Sequence, residues 1–258
     1  MIFFRRFISV FAFCVPAFLD CAAQDGAVKY PPGLMHDLHV QEVSEVQYTF
    51  SPAGGQLPPW TKNTIDFDTS GRIVKVQRFD PMKSTAISSE IYHYGPGGKI
   101  SRVDFYSYGM PENSCFENYI YDTTGRLVLR RDSSMQSGKI TGFAVFTYDS
   151  SGLVQTKDYY LKKKKLQDRF IYTSDSAGRL VKDVSYYYLE SDKPIDMHVY
   201  FYEDGRLTGE DVYLHDMKVS CNRVGYVYDG NGKLTSYNFF DGKGKLLSRT
   251  DIVYTYYR

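Results

Sequence analysis

Apolar and polar positions between residues 60 and 245 follow a pattern that restarts about every 27 residues, each time around a glycine. The glycines are Gly71, Gly98, Gly125, Gly152, Gly178, Gly205 and Gly232. Around most of them an apolar or aromatic residue stands six and four positions before the glycine and two positions after it, as Tyr119, Tyr121 and Leu127 do around Gly125. Alternation with a period of two is the pattern of a β-strand. Each copy therefore predicts a β-hairpin, and the seven copies predict fourteen strands.

The residues between the two strands predict the type of turn. In "YDTTGRLV", Asp122 and Gly125 suit a type I turn followed by a left-handed glycine, which makes a three-residue loop with a bulge. In that register Asp122 faces Arg126, while Tyr121 faces Leu127 on the other face of the hairpin. Opposite charges across the ladder favour the pairing by a few tenths of a kcal/mol. The same structural role is predicted for Asp175, Gly178 and Arg179, and for Asp229, Gly232 and Lys233.

One copy is shorter and tests this interpretation. "YEDGRL" lacks one loop residue, and its "DG" dipeptide is the preferred two-residue hairpin loop. The shorter loop still pairs Glu203 with Arg206, so the loop changes while the cross-strand pairs remain. Two other copies lack one charged partner, because Gly95 replaces the aspartate in one and Leu153 replaces the basic residue in the other.

The remaining segments predict how the hairpins are flanked and joined. A lead-in strand is predicted at 44–50, a closing strand at 251–258, and irregular loops between successive hairpins. Beyond the second residue after each glycine the apolar positions move to the alternate phase, as at Val76 and Val103, so both faces are expected to carry apolar residues. The predicted fold class is all-β: tandem antiparallel β-hairpin repeats of about 27 residues that form a strongly twisted or closed β-meander. The pattern leaves open whether the sheet closes.

The first 23 residues have a different character from the rest of the chain. "MIFFRR" is basic, "FISVFAFCVPAFL" is apolar, and small residues follow, which together indicate a secretory signal peptide cleaved between Ala23 and Gln24. Lipid attachment at Cys21 is an alternative that Asp20 disfavours. The mature chain then divides into an N-terminal segment, 24–59, and the repeats with their closing strand, 60–258. We expect it in the periplasm, at the outer-membrane surface or outside the cell.

Composition and charge narrow the classes of partner. The chain has 31 Lys plus Arg and 30 Asp plus Glu, and removal of residues 1–23 leaves 29 of each. Nucleic acid is therefore not an expected partner, since its binding needs a clear basic excess. The 24 tyrosines, with only one tryptophan, favour β-structure with many amphipathic aromatic side chains.

The repeated octet resembles the YD repeat of the RHS family, whose units carry a Tyr-Asp-x-x-Gly-Arg-Leu core. "YDTTGRLV" matches it throughout, while "YDSSGLV", "SDSAGRLV" and "YDGNGKL" match it in part. The resemblance implies an extracellular or surface β-repeat protein, of a family whose long arrays form shells around toxins or act in adhesion and glycan binding. This array is short, so encapsulation is not expected. The chain is more similar to small stand-alone exported repeat proteins of Gram-negative bacteria.

No motif in the sequence indicates catalysis or a cofactor. "HDLH" places His36 and His39 near the start of the mature chain without further ligands at metal-binding spacing. Each octet offers one carboxylate, too few for a calcium loop. No G-x-S-x-G or phosphate-binding loop occurs. We therefore expect no enzyme activity, no metal and no cofactor.

The two cysteines of the mature chain, Cys115 and Cys221, stand in connections four hairpins apart. Eight strands at about 4.8 Å each would separate them by about 38 Å in an open sheet. A disulfide needs Cα atoms within about 7 Å. Free thiols are therefore expected.

Function, where it is localised, is predicted at the edge that carries the variable connections, since loops on a rigid scaffold carry function. The binding candidates are Tyr106, Tyr108, Tyr159, Tyr160, Tyr187, Tyr188 and Tyr213, whose rings would stack on sugars. "KKKK" at 162–165 is interpreted as a solvated connection. The predicted function is a structural or interaction role at the bacterial cell envelope, with a glycan or an envelope protein as partner and no integral span in the mature chain. The alternatives are an outer-membrane β-barrel and, below it, a glycan-active or toxin-related module.

Overall fold

The computed structural model describes residues 32–51, 55–80, 83–162, 164–189, 191–214 and 219–257. The predicted signal peptide and its cleavage site therefore lie outside the described residues. A short helix, α1 (Pro32–Asp37), precedes sixteen β-strands, and single 3₁₀ turns at Pro96–Gly98 and Pro111–Asn113 interrupt the connections. The strands are β1 (Val40–Thr49), β2 (Trp60–Phe67), β3 (Ile73–Phe79), β4 (Ala86–Tyr94), β5 (Ile100–Ser107), β6 (Cys115–Tyr121), β7 (Leu127–Ser134), β8 (Ile140–Tyr148), β9 (Val154–Leu161), β10 (Leu166–Ser174), β11 (Leu180–Tyr187), β12 (Pro194–Glu203), β13 (Arg206–Leu214), β14 (Ser220–Tyr228), β15 (Leu234–Asp241) and β16 (Leu246–Tyr256).

The sixteen strands form one closed barrel in which every strand pairs antiparallel with its neighbours in sequence. Closure comes from β1 and β16, whose register runs from Val40 opposite Tyr256 to Thr49 opposite Ser248. The seven predicted hairpins supply fourteen of the strands, and the lead-in and closing strands supply the two that meet. The question that the sequence leaves open is thereby answered: the meander closes on itself. None of the helices in the described ranges has the length and apolar character needed to cross a membrane.

The turns of the hairpins have the predicted geometry. In the turn between β6 and β7 the amide of Asp122 donates to the carbonyl of Arg126 at 2.8 Å, and Gly125 has φ of 83°. The carboxylate of Asp122 also accepts from the Arg126 guanidinium at 3.0 Å. Hydrogen bonds from the Thr124 hydroxyl and from Arg126 hold the pKa of Asp122 well below its usual range. The same backbone bond joins Asp68 to Arg72, Asp149 to Leu153, Asp175 to Arg179 and Asp229 to Lys233.

Replacement of a turn glycine is expected to destabilise the protein through the backbone alone. Gly152 has φ of 81°, and a Cβ added there would meet nothing within 4 Å. Gly152→Ala should lower the free energy of unfolding by about 1–2 kcal/mol, the cost of the left-handed conformation for a residue with a Cβ. Gly109→Ala is the matched control, since it is equally uncrowded and lacks a positive φ. Equal unfolding free energies for the two variants would rule out this reason for the glycine.

The phase change after each glycine has a local cause, a shift of register that residue spacing alone does not reveal. The register shifts by one residue beside each tight turn, for example between Ile120 and Tyr121 opposite Leu127 and Leu129. This bulge shifts the rest of the second strand by one residue, so that side chains beyond it change the face of the sheet on which they lie. Val76, for instance, shares a face with Ile65, as Ile73 does with Phe67. The expectation that apolar residues divide between the two faces was wrong for Val76 and Val103, which both face the same side as the residues before the turn.

The two rims of the barrel differ less than predicted. We call the rim with the seven glycine turns the turn edge and the opposite rim the loop edge. At the loop edge the "DGKGK" connection forms the same bonded turn, with Asp241 donating to Lys245 and Gly244 at φ of 79°. The "KKKK" connection does likewise, with Lys164 in the left-handed position at φ of 59°. The prediction that these connections are irregular was therefore wrong for these two.

Paired residues share a face of the sheet, so the registers divide the side chains into an inner and an outer set. Arg130, which is fully buried, pairs with Tyr119 on one side and Ala144 on the other. Continued around the barrel, this set contains Lys157 and the apolar cluster that surrounds α1. The wall of the barrel is one sheet thick, so a charged side chain with no exposed surface must lie on its inner side. This set of residues therefore faces inward.

Helix α1 lies inside the barrel near the turn edge. Met35 is completely buried against Val43, Phe67 and Leu234, which belong to β1, β2 and β15. No helix was predicted here, because six residues are too few to show a helical period. Proline at the first helical position, Pro32, is compatible with a helix start because its missing N–H has no partner there anyway.

Candidate functional site: the inner wall of the barrel

Buried charges at mid-height are the first feature of the inner wall. Arg130 donates to Asp132 at 3.0 Å and lies 3.4 Å from Glu117, and all three are nearly or fully buried. Glu117 also accepts from the hydroxyl of Tyr119 at 2.7 Å. Neighbouring strands supply these groups because alternate residues of β6 and β7 face inward. The cluster carries one positive and two negative charges.

The adjoining part of the wall, from β10 to β13, carries more acid than base. We call it the acidic sector, and it contains Asp168, Asp183, Asp196, Glu210 and His198. Tyr200 donates to Asp183 at 2.7 Å, and the hydroxyl of Ser185 donates to Asp196. The charges of Glu210, Asp183 and Asp196 act on the one imidazole of this sector, that of His198. Burial raises the pKa of Asp168 to about 6, against hydrogen bonding from Gln167 and the charge of Lys157.

Histidine 198 is the basic group of this sector. Its Nδ1 forms a hydrogen bond with Glu210, whose other oxygen accepts from Tyr226 at 3.3 Å. Burial lowers the pKa of His198, but the bond to Glu210 and the charges of Glu210, Asp183 and Asp196 outweigh it and raise the pKa to about 9. The side chain is thus an imidazolium at neutral pH, and the sector keeps a net negative charge.

Stability is expected to fall as the pH rises through the pKa of His198. A group whose folded pKa is raised stabilises the protein fully below the unfolded pKa, here 6.5, and loses that contribution near 9. Between pH 6.5 and 9 the unfolding free energy should drop by roughly 2–4 kcal/mol. His198→Gln should remove most of this slope in denaturant titrations at each pH, whereas His36→Gln in the exposed part of α1 should keep it. Parallel slopes for wild type and His198→Gln would contradict the assignment.

Aromatic rings line the same sector. Phe170 and Tyr172 of β10 are stacked, with ring centroids 6.5 Å apart and an interplanar angle of 14°. The ammonium group of Lys157 lies 5.1 Å from the centre of the Phe170 ring. Half-buried rings beside carboxylates offer flat apolar faces together with hydrogen-bond acceptors. Such a surface suits a ligand with hydroxyl or ammonium groups.

A row of tyrosines runs along the inner side of the turn edge, and we call it the tyrosine row. Each hydroxyl donates to the carbonyl of the first residue of the second strand in the preceding hairpin. The pairs are Tyr94 with Ile73 (2.6 Å), Tyr121 with Ile100 (2.8 Å), Tyr148 with Leu127 (2.6 Å), Tyr202 with Leu180 (2.9 Å) and Tyr254 with Leu234 (2.6 Å). The basic residue of the preceding turn covers each ring: Arg72, Lys99, Arg126, Arg179 and Lys233 lie 4.6 to 5.4 Å from the ring centres. The octet therefore joins neighbouring hairpins as well as closing its own.

The predicted binding tyrosines do not form one site. Tyr159 and Tyr187 face inward, as their pairing with Asp168 shows. Tyr160 is on the outer face, where its ring stacks on Phe143 at 5.1 Å. The remaining positions are as follows: Tyr106 and Tyr213 lie on the outer face of β5 and β13, Tyr108 donates to the Ser89 hydroxyl at 2.8 Å, and Tyr188 stacks on Tyr186 at 5.9 Å. Sequence spacing placed all seven near one edge, but it could not tell the two faces apart because the bulges were unknown.

Ion pairs on the outer face lie near the middle of the strands. Two of them join neighbouring strands, Arg169 with Asp158 at 2.6 Å and Arg223 with Asp211 at 2.6 Å. Two others join residues of one strand: Arg102 contacts Asp104 at 2.5 Å, and Arg249 contacts Asp251 at 2.6 Å. The outer face therefore carries charge at several points around the barrel.

The cysteines and histidines named from the sequence are not brought together. Cys115 and Cys221 are both free, the first at the start of β6 and the second in β14. His36 lies in α1 and His39 follows it, with ring centroids 6.5 Å apart. Among the described residues, no three His, Cys, Asp or Glu side chains are placed to hold a metal ion.

The fold has counterparts among solved structures, whereas no family model and no curated protein matches the chain. A porin-like protein from Bacteroides uniformis matches 84% of this chain and 97% of its own, at 11% identity and a TM-score of 0.54. A porin-like protein from Bacteroides vulgatus matches 84% of this chain and 99% of its own, at 13% identity and a TM-score of 0.48. The toxin assembly TcdB2-TccC3 without its hypervariable C-terminal region matches 78% of this chain but 12% of its own, at a TM-score of 0.34. The first likeness shows a shared barrel fold.

Proposed function

We propose that this chain is a non-catalytic β-barrel of the bacterial envelope that is surrounded by water and interacts with its partner through the inner wall and the loop edge. The acidic sector extends to the loop edge, where Asp168 and Tyr187 pair across β10 and β11. Its carboxylates and rings suit a ligand with hydroxyl or ammonium groups, such as a glycan. The repeated turns and the tyrosine row support the proposal that the scaffold is a closed array of YD-like hairpins.

The ion pairs on the outer face are the reason for proposing that this face lies in water rather than in lipid. An arginine or lysine on the lipid face of a barrel costs about 2–4 kcal/mol at the bilayer midplane. Arg102, Arg169, Arg223 and Arg249 would together cost about 8–16 kcal/mol at that rate, which is comparable to the whole stability of a domain. Their aspartate partners reduce this cost but are themselves poorly tolerated in hydrocarbon. In water the same pairs are neutral or slightly favourable.

An outer-membrane barrel is the second candidate, and the topology favours it over an open repeat array. The strands are antiparallel and even in number, and β1 begins and β16 ends at the turn edge. Outer-membrane barrels likewise combine an even number of antiparallel strands with short turns at one rim and longer loops at the other. The barrel fold shared with a porin-like protein agrees with this candidate.

Fractionation separates the two candidates. The full chain, exported with its own signal sequence, should be recovered in the detergent-free periplasmic or extracellular fraction as a folded β-protein by circular dichroism. Recovery only in detergent extracts of the outer membrane, with flotation on lipid vesicles, would overturn the water-surrounded barrel. A soluble protein exported by the same cells and a known integral outer-membrane barrel serve as references for the soluble and the membrane fractions.

Binding at the inner wall is tested with the same soluble protein. Glycan arrays and pull-down from envelope extracts should give a partner whose binding weakens at least tenfold with Asp168→Asn or Tyr187→Ala. Tyr106→Ala, which removes a ring from the outer face, is the matched control and should bind like wild type. Equal binding by all three variants would exclude the inner wall, and a measured hydrolase activity would exclude the non-catalytic assignment.

A further inference from the structure

Lysines are concentrated on one part of the loop edge, which we call the basic patch. It consists of three neighbouring connections, β5–β6, β7–β8 and β9–β10, together with the first two residues of β8: residues 108–114, 135–141 and 162–165. These residues include five lysines, Lys139 and the four of "KKKK", and one acidic residue, Glu112. The basic patch therefore carries a clear positive charge on a chain whose total charge is close to zero.

Backbone hydrogen bonds join the three connections into one continuous surface. The amide of Met135 donates to the carbonyl of Ser114 at 3.0 Å, and the amide of Lys162 donates to the carbonyl of Thr141 at 3.1 Å. Neighbouring connections are two strands apart, which is about 10 Å. This spacing is about one Debye length at 0.1 M salt, so the positive charges of the patch act together on a charged partner.

The described lysines of the basic patch have no carboxylate partner. Four of them are exposed and form no ion pair with any described residue: Lys139, Lys162, Lys164 and Lys165. At the turn edge, by contrast, the basic residue of four turns pairs with the aspartate of its own turn, as Arg72 does with Asp68 at 2.7 Å. The charges at the turn edge stabilise the turns, whereas the lysines of the patch repel one another and are free to meet an external anion.

The turn between β9 and β10 carries lysine where its backbone favours glycine. Lys164 has φ of 59° and occupies the place that Gly244, with φ of 79°, has in the equivalent turn between β15 and β16. This conformation is unfavourable for a residue with a Cβ. The first position of the turn is Leu161 where the other has Asp241, so no carboxylate of the turn balances the lysines. Neither the backbone nor the local charge favours lysine here, which points to a role outside the turn.

Exposed apolar side chains stand beside these lysines. Tyr108, Met110 and Ile140 are 50%, 53% and 44% exposed, and Ile140 directly follows Lys139. Unpaired cations next to exposed apolar side chains suit a bilayer surface, where anionic headgroups take the charge and the boundary with the acyl chains takes the apolar groups. Tyrosine is itself enriched at that boundary. An acidic polysaccharide would satisfy the lysines but leave the apolar side chains in water.

We propose that the basic patch docks the barrel on a membrane surface that contains anionic phospholipid. The lysines contact the headgroup phosphates, and Tyr108, Met110 and Ile140 enter the headgroup region while the strands stay outside the hydrocarbon. This inference rests on the proposed water-surrounded barrel, because a barrel that crosses the bilayer would not dock on it by one rim. It assigns a partner to one part of the loop edge.

Sedimentation with lipid vesicles tests the docking of the full mature chain. The protein should bind vesicles of equal parts phosphatidylglycerol and phosphatidylcholine at about 0.1 M NaCl. Binding to vesicles of phosphatidylcholine alone should be at least about tenfold weaker. At about 1 M NaCl the Debye length falls to about 3 Å, and the protein should be released without detergent. Equal binding to both kinds of vesicle, or binding to neither, would overturn the proposal.

Charge reversal at two matched turns tests whether the patch is responsible. Lys162→Glu combined with Lys165→Glu should weaken binding to the anionic vesicles at least about 30-fold, the effect of two lysines at about 1 kcal/mol each. Lys243→Glu combined with Lys245→Glu makes the same change of charge in the equivalent turn outside the patch and should weaken binding less than about threefold. Equal losses for the two double variants, both folded by circular dichroism, would overturn the assignment to the patch.

Removal of the apolar side chains separates a membrane from a soluble polyanion. Met110→Ser combined with Ile140→Ser should weaken binding to the anionic vesicles about tenfold. Val253→Ser is the control, because Val253 is 51% exposed on the outer face of β16, outside the patch, and should bind like wild type. Unchanged binding of the Met110 and Ile140 double variant, with heparin displacing the vesicles, would overturn the choice of a membrane in favour of a soluble polyanion.

Failure of the docking and failure of the proposed function give different results. A protein that is recovered in the soluble fraction and binds no vesicles would overturn the docking alone. A protein that stays with the vesicles at about 1 M NaCl and is released only by detergent would overturn the water-surrounded barrel, and the docking with it. Salt-dependent release of wild type, lost binding in the Lys162 and Lys165 double variant and soluble recovery of both would support the two proposals together.

Discussion

Arg130→Met should lower the free energy of unfolding by about 3–5 kcal/mol, the cost of breaking a buried ion pair by removing one partner. The guanidinium is fully buried between Glu117 and Asp132, at 3.4 and 3.0 Å. Methionine is of similar length, so the loss comes from two carboxylates left without their cation rather than from a cavity. Urea titration followed by circular dichroism measures it, and the folded baseline shows whether the variant still forms the barrel.

The next residue along β7 provides the control for this prediction. Arg131 faces outward and is exposed, so Arg131→Met should change the unfolding free energy by less than about 0.5 kcal/mol. The two variants make the same chemical change one position apart on opposite faces. Large losses of unfolding free energy for both variants would mean that the assignment of inner and outer faces is wrong. Small losses for both would mean that water reaches Arg130.

Met35→Ala should cost about 2–5 kcal/mol, the range for truncating a fully buried methionine. Met35 anchors α1 against Val43, Phe67 and Leu234, where the barrel closes through β1 and β16. The loss should appear in chemical denaturation and as faster amide exchange at the turn-edge ends of β1, β2 and β16. Since those ends pack on the helix, the rest of the barrel should be affected less.

Met110→Ala is the control for the helix variant, because the same side chain is 53% exposed there. It should change stability by less than about 0.5 kcal/mol. If Met35→Ala were equally mild, α1 would not be part of the folded barrel, and its contact with the inner wall would have no energetic role. Faster exchange spread evenly over all strands would contradict the local role of the helix.

The hairpins, their turns and the strand count could be predicted because each is encoded within a few residues. Asp122, Gly125 and Arg126 specify the loop type and the cross-strand pair by local sterics and charge. Closure could not be predicted in this way, since the pairing of β1 with β16 is a contact between the two ends of the array. The lead-in strand was predicted at 44–50 and runs from Val40 to Thr49 because its partner in β16 extends the pairing at the turn edge.

The inner wall could not be read from the sequence for a different reason. A one-residue bulge after each turn changes which residues face inward, and a shift of one position moves a whole strand's side chains to the other face. Lys157 and Asp158 are adjacent, yet the first faces Phe170 inside and the second faces Arg169 outside. Spacing alone therefore does not mark these charges as inward-facing, and the acidic sector was not predicted.

The most direct test of a closed barrel in water is the environment of the outer face, measured by site-directed spin labels. Single cysteines would replace Ile91, Val145, Ile171 and Val199, which face outward near mid-height, after Cys115 and Cys221 are changed to serine. In the exported protein all four labels should collide readily with a polar nickel chelate and show no preference for oxygen. A ring of labels that oxygen reaches and the nickel chelate does not would place the outer face in lipid and contradict the account.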